Sequence, residues 1–192
     1  MTRAIFVKKA QKDYPEHSIK KGESYYWWKF RFGGKHFSKT APKASQLTQS
    51  GFLQTLYDIQ ERIEGVGVDE DLDSFLTEVK SDLESLRDEC QSSLDNMPQH
   101  LQESSSSGEM LTNRIDALGS FMDELDGIST DIDVDEDDIR SNVEEENPKD
   151  DSEDDEAYKA RIDELFEIAL EEETNEKKQQ IIDEIQNVDS GD

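Results

Sequence analysis

Tyr25, Trp27, Lys29 and Arg31 stand at alternate positions of one short run, so a β-strand would present all four on one side. Cations neutralise phosphates, planar rings stack on bases and hydroxyls donate to phosphate oxygens. Gly33-Gly34 follows, a pair suited to a primed two-residue turn, and residues 35–40 read as a return strand. That turn pairs Phe32 with Lys35, Arg31 with His36, Phe30 with Phe37, Lys29 with Ser38 and Trp27 with Thr40. It sorts Tyr26, Trp28, Phe30, Phe32 and Phe37 to an apolar side that packs on the following helix. Tyr25, Trp27, Lys29, Arg31, His36, Ser38 and Thr40 then form the outward side, with the inventory of a nucleic-acid platform. The competing reading is a two-sided small sheet whose outer face is merely solvated or docks on another protein.

The elements that must position this hairpin are short. Residues 4–7 are a brief apolar run, and Pro15 and Gly22 punctuate the approach to the aromatic stretch. After Pro42 a helical period starts near Gln46, with Phe52, Leu56, Ile59 and Ile63 on one stripe, and Gly65 and Gly67 end it. The first 64 residues thus read as three strands and a helix.

The run GESYYWWKFRFGGKHFSKTAP followed by a helix resembles the amino-terminal arm-site DNA-binding domain of tyrosine recombinases, over about residues 4–64. The resemblance implies a three-stranded sheet with one helix, the sheet lying in a DNA groove, and it points to Trp27, Lys29, Arg31, His36 and Lys39. It does not imply recombination, because an acidic helical region follows where a recombinase carries its catalytic Arg, His and Tyr. The whole chain also resembles small uncharacterised proteins of bacteriophage genomes, which implies a bacterial host cytoplasm and no particular activity.

Charge divides the molecule at about residue 50. Residues 1–50 hold 11 Lys and Arg against 3 Asp and Glu, a balance of +8, and the remaining 142 hold 10 against 45, a balance of −35. One end should seek polyanions; the other should repel them, grip cationic surfaces or imitate a polyanion. The acidic part is helical in pattern. Asp69 is a plausible N-cap, and Leu72, Leu76, Val79, Leu83, Leu86 and Cys90 alternate four- and three-residue steps, an a/d seam. Pro98 and residues 104–108 interrupt it, and Leu111, Ile115, Leu118, Met122 and Leu125 repeat it. The two seams close on each other as an antiparallel hairpin or pair between chains.

Residues 131–156 carry 15 Asp and Glu against Arg140 and Lys149, too little apolar surface to offset ordering entropy, and read as a disordered linker. Ser152 with Asp155 resembles a capping box, opening a helix with Tyr158, Ile162, Leu165, Phe166, Ala169 and Leu170 on its stripe. A last short helix carries Ile181, Ile182, Ile185 and Val188.

Chemistry beyond binding finds little support. Asp131, Asp133 and Asp135 alternate as in an EF-hand loop, but Glu136 stands where Gly is needed and Asn142 where a bidentate Glu is needed. His17, His36 and His100 lack neighbours at metal spacing, and no phosphate loop or nucleophile elbow occurs. Cys90, the single cysteine, sits on the seam as a small apolar residue and can form no intramolecular disulfide. No stretch reaches the length of a membrane span or a signal peptide's apolar core, so the chain reads as soluble and cytoplasmic.

The expected fold is α+β: a basic βββα module over 1–66, an acidic helical hairpin or coiled coil over 67–130, a disordered linker over 131–156 and acidic helices over 157–192. The expected function is a non-enzymatic adaptor without cofactor, engaging nucleic acid through Tyr25, Trp27, Lys29, Arg31, His36 and Lys39. Its helices would self-associate or hold a protein through Leu76, Val79, Leu83, Leu86, Leu111, Ile115, Leu118 and Met122. The alternative is an acidic DNA-mimicking inhibitor of a host DNA-processing or defence enzyme. Opposite charges on one tether also suggest that the acidic tail folds back on the basic module.

Overall fold

The computed structural model describes residues 2–150, 152 and 154–188. It is an α+β fold: three strands, β1 (Ile5–Val7), β2 (Tyr25–Lys29) and β3 (Lys35–Ser38), form an antiparallel sheet in the order β1-β2-β3. Six helices follow: α1 (Gly51–Gly65), α2 (Leu72–Asp95), α3 (Gln99–Gln102), α4 (Ser106–Asp126), α5 (Glu136–Glu146) and α6 (Asp155–Gln186).

The helices begin where a side chain can take the orphan N–H groups of a first turn. Ser50, Asp71, Ser105, Asp135 and Asp154 accept from Leu53, Ser74, Gly108, Asp138 and Ala157 respectively. The cap of α2 is thus Asp71 rather than Asp69, and that of α6 is Asp154 rather than Ser152. In both cases a carboxylate accepts the N–H three residues on, Ser74 for Asp71 and Ala157 for Asp154. Between the sheet and α1, residues Ala44–Leu47 make one 3-10 turn in place of the expected helix start.

Two main cores hold the chain, and a small third cluster of Val66, Leu72 and Ile182 adjoins the larger through Phe75 and Ile181. The larger gathers Leu56, Ile59 and Ile63 of α1, Leu76, Val79, Leu83 and Leu86 of α2, Leu118, Phe121 and Leu125 of α4, and Ile185 of α6. The a/d seams therefore meet inside one chain. Lys80 near the start of α2 pairs with Asp126 at the end of α4 at 2.7 Å, which fixes the pair as antiparallel. On α4, Phe121 and Leu125 join Leu118 in the interior, whereas Leu111, Ile115 and Met122 are only partly buried. The strict heptad gives way because α4 borders more than one neighbour, and a broader apolar arc than a/d is buried. Gly108 lets the chain double back: a Cβ there would come 2.1 Å from the Gln102 carbonyl oxygen.

The larger core overturns the expected boundaries. The stripe of α1 packs on α2, α4 and α6, not on the sheet, because its residues match the helical seams in spacing and chemistry. Residues 1–66 are thus no self-contained βββα unit. The acidic segment 131–156 contains α5, which the polar composition concealed. Three acids in its first turn suit the helix dipole. Val143 is buried, and Arg140 lies over the Phe166 ring at 4.4 Å and pairs with Asp163 at 2.9 Å. Asp151 and Glu153 of that segment lie outside the described residues.

The two expected C-terminal helices are one, α6. Ile162 and Ile182 are twenty residues apart, about 200° around a helix of 3.6 residues per turn, so the two stripes face nearly opposite sides. Ile162 and Phe166 are buried in the half that packs with α5, whereas Ile181, Ile182 and Ile185 reach the main body. Removing everything after residue 130 would open that body. Among the described residues no ion pair joins the N-terminal 50 residues to residues 131–188, so the folded-back tail gains no support. No helix among them is long and apolar enough to cross a membrane.

Candidate functional site

The smaller core is Ala10, Ile19 and Tyr25, with Val7, Tyr14, Trp27 and Phe37 against it. Residues 8–23 fold over one face of the sheet to make it. Backbone bonds from Ala10 to Glu23 and from Gly22 to Ala10 close the segment, and a bridge joins Tyr14 to Ile19. Tyr14, Tyr25 and Phe37 form a ring cluster with centroids 5.0–5.9 Å apart, and His17 stacks on Phe37 at 4.6 Å.

This cover corrects the expected platform. Tyr25 is only 7% exposed and Trp27 is half-buried, because the face assigned to solvent is the one the 8–23 segment occupies. The hairpin register also differs. Tyr26 pairs with Ser38, Trp27 with Phe37, Trp28 with His36 and Lys29 with Lys35, and residues 30–34 form the loop. Against the expected pairing this is a slip of three residues, an odd number, so His36 and Phe37 exchange sides. Phe37 thereby joins Tyr25 and Trp27 inside, while His36 lies beside Trp28 with ring planes 14° apart. Gly33 alone of the two turn glycines takes positive φ, at 140°, so the primed two-residue turn does not form.

The opposite face is apolar as expected, but the buried stripe of α1 belongs to the helical core. Trp28 is buried, Tyr26 half-buried beside Phe6 at 4.9 Å, and Phe6 itself 55% exposed. Thr2 ties its N–H to the Leu47 carbonyl and its hydroxyl to the Lys29 carbonyl, which brings the 3-10 turn to this end of the sheet.

Of the expected hairpin platform, the part that remains exposed lies at the tip, while Lys8, Lys9, Lys12, Lys20 and Lys21 are exposed on the covering segment. Lys29 and Lys35 are directly opposed across β2 and β3, and Arg31 lies in the loop they flank. Phe32, beside Arg31, is 76% exposed, and the Arg31 guanidinium is 5.4 Å from its ring centroid. The Lys35 ammonium sits 4.4 Å above the Trp27 ring. Among the described residues no carboxylate makes an ion pair with Lys29, Arg31 or Lys35. Lys39, in contrast, is spoken for: it pairs with Glu23 at 3.2 Å. That lysine and the Lys20 N–H hold the Glu23 carboxyl below the usual carboxylate range, the backbone bond being the larger cause.

Of the expected positions, Lys29 and Arg31 thus share the tip, His36 stacks beside it, Lys39 is neutralised, and Tyr25 and Trp27 turn inward. Lys35, Phe32 and Phe6 were missed. A two-residue turn would pair Lys35 with Phe32, and only the observed register brings it opposite Lys29. Elsewhere, burial in the helical body pushes the Cys90 thiol above its ordinary pKa, which disfavours the reactive thiolate. Asp135 serves as a helix cap, and no cluster of three or more metal-ligating side chains occurs among the described residues. Comparison of the chain with protein-family models, curated proteins and solved structures finds no match.

Proposed function

We propose that the chain is a non-enzymatic adaptor that engages nucleic acid through the β2–β3 hairpin tip and holds a protein partner on its acidic helices. The observation that carries the reading is the opposed Lys29 and Lys35 pair with Arg31 between them. Like charges directly across a strand pair are destabilising, and cation–π contact with Trp27 offsets this only in part. A phosphate would relieve the repulsion, and exposed Phe32 would stack on an unpaired base. Single-stranded nucleic acid suits this tip, because a splayed base is accessible to a protruding ring.

Charge density weakens the mimicry alternative. The side-by-side helices α2 and α4 carry twelve acids against Lys80, Arg87 and Arg114, net −9 along the 24 residues of α2. That is one net charge per ~4 Å of helix, against roughly one per 1.7 Å in duplex DNA.

Fluorescence anisotropy with labelled single strands and duplexes over a salt series tests the reading. Lys29→Ala with Arg31→Ala and Lys35→Ala should lower the slope of log K against log salt by about 2 for single strands, at ~0.7 per phosphate lost. Phe32→Ala should weaken single-strand binding by about 1–3 kcal/mol without altering the melting temperature. Absence of binding by wild type at low salt sinks the proposal.

A further inference from the structure

α1 and α4 both lean on α2, and a groove of about 380 Å³ opens between them. Phe52, Leu53, Leu56, Met110, Ala117 and Leu118 line it, and Met110 remains 44% exposed. The positions that α4 contributes recur every three or four residues, so one helix face borders the groove along its length. Arg114 also lines the groove, and its guanidinium is held 4.1 Å from the Phe52 ring centroid, a cation–π contact with the groove's own wall.

Beside this apolar surface runs an acidic row. Glu109, which lines the groove, is followed by Asp116 and Asp123 at seven-residue intervals, each step only about 20° around the helix. All three are exposed, and none makes an ion pair among the described residues. Apolar lining with a one-sided row of unneutralised carboxylates is complementary to a helix that is apolar on one face and cationic on the adjoining flank.

We propose that this groove receives an amphipathic helix of a partner protein. Its apolar side chains enter among Phe52, Leu56, Met110 and Leu118, and its Lys or Arg residues face Glu109, Asp116 and Asp123. This names the chemistry of the partner in the adaptor reading, and rests on that reading for there being one. A second copy of this chain is the poorer occupant, because the acidic helices of two copies would repel. A small apolar molecule would fill the groove and leave the acidic row unused. Met110 suits such a surface, since its flexible thioether adapts to different apolar partners.

The test titrates full-length protein with a labelled peptide in which Leu recurs at i, i+3, i+4 and i+7 and Lys fills the other positions. Two controls accompany it: a scrambled peptide of identical composition, and the same Leu pattern with Glu for Lys. The patterned Leu/Lys peptide should bind saturably, and Met110→Glu should weaken it about tenfold or more, equal to ~1.4 kcal/mol. Amide shifts in wild type should centre on Phe52, Met110 and Ala117, a readout that needs no variant to fold. Equal binding of the scrambled peptide, or equal binding of the Leu/Glu peptide, would overturn the proposal. So would shifts spread over all the acidic helices, or confined to the α5–α6 pair. Phe32→Ala should leave peptide binding unchanged while weakening nucleic acid, so failure of one reading is told from failure of the other.

Discussion

The sheet region and the helical body of this protein are stabilised by different means. The body buries eleven side chains in one cluster, among them Val79, Leu83, Leu125 and Ile185 with no exposed surface. The sheet cluster has three buried members and depends on rings gathered around them, with Phe6 and Phe32 left in solvent. Burial of a large apolar side chain contributes about 1.5–3 kcal/mol, so the body has far more to draw on. The sheet instead keeps cations and rings accessible. Binding surfaces belong in parts of a fold that can tolerate such exposure and local opening.

Four changes would break or sharpen the contrast. Leu83→Ala, at the centre of the body, should cost about 2–5 kcal/mol in thermal unfolding followed by far-ultraviolet circular dichroism. The near-ultraviolet band of Trp27 and Trp28 should respond less. One transition shifted equally in both signals would show that the two cores unfold as a unit. Gly108→Ala should cost about 1–3 kcal/mol, because the added methyl group meets backbone that cannot step aside as a side chain would. A stability equal to wild type would mean that α3 shifts freely.

Ser50→Ala removes the cap of α1, the helix that links sheet to body, and should cost about 0.5–2 kcal/mol. Since α1 packs with the helices, its loss should appear in the far-ultraviolet transition and not in nucleic-acid affinity. The smallest effect is one of pH. The Asp71 carboxyl lies below the usual aspartate range, chiefly because the Ser74 N–H donates to it. A depressed folded-state pKa gives stability that is present above the ordinary aspartate value and is lost as pH falls through the lower one. Asp71→Asn keeps a capping acceptor without the titration. Its stability should therefore fall less steeply than that of wild type on the acid limb, and parallel curves would remove Asp71 from the account.

Much of the body was legible because helical periodicity is a local signal. Leu76, Val79, Leu83, Leu86 and Cys90 announced α2, and all five are buried. The hairpin was legible as a hairpin and misread in register. A glycine pair permits a tight turn without requiring it, and the alignment that buries Phe37 beside Tyr25 and Trp27 depends on Ala10, Tyr14 and Ile19 from a segment with no periodic pattern. α5 escaped notice for a related reason. Its two apolar residues, Ile139 and Val143, are too few alone, and α6 supplies the Phe166 ring and the Asp163 carboxylate that complete its packing.

The amino-acid order alone determined the charge division, the α+β class, the two long seamed helices α2 and α4 and the hairpin as a cationic, aromatic element. Those follow from neighbours along the chain: alternation, heptad steps and counts of charge. Tertiary packing alone decided that α1 serves the body, that α6 is one helix with two opposed apolar faces, and that Trp27 turns inward while Lys35 comes to face Lys29. Each of these depends on which distant segment covers a given face, and covering a face is a competition among surfaces that no local pattern records.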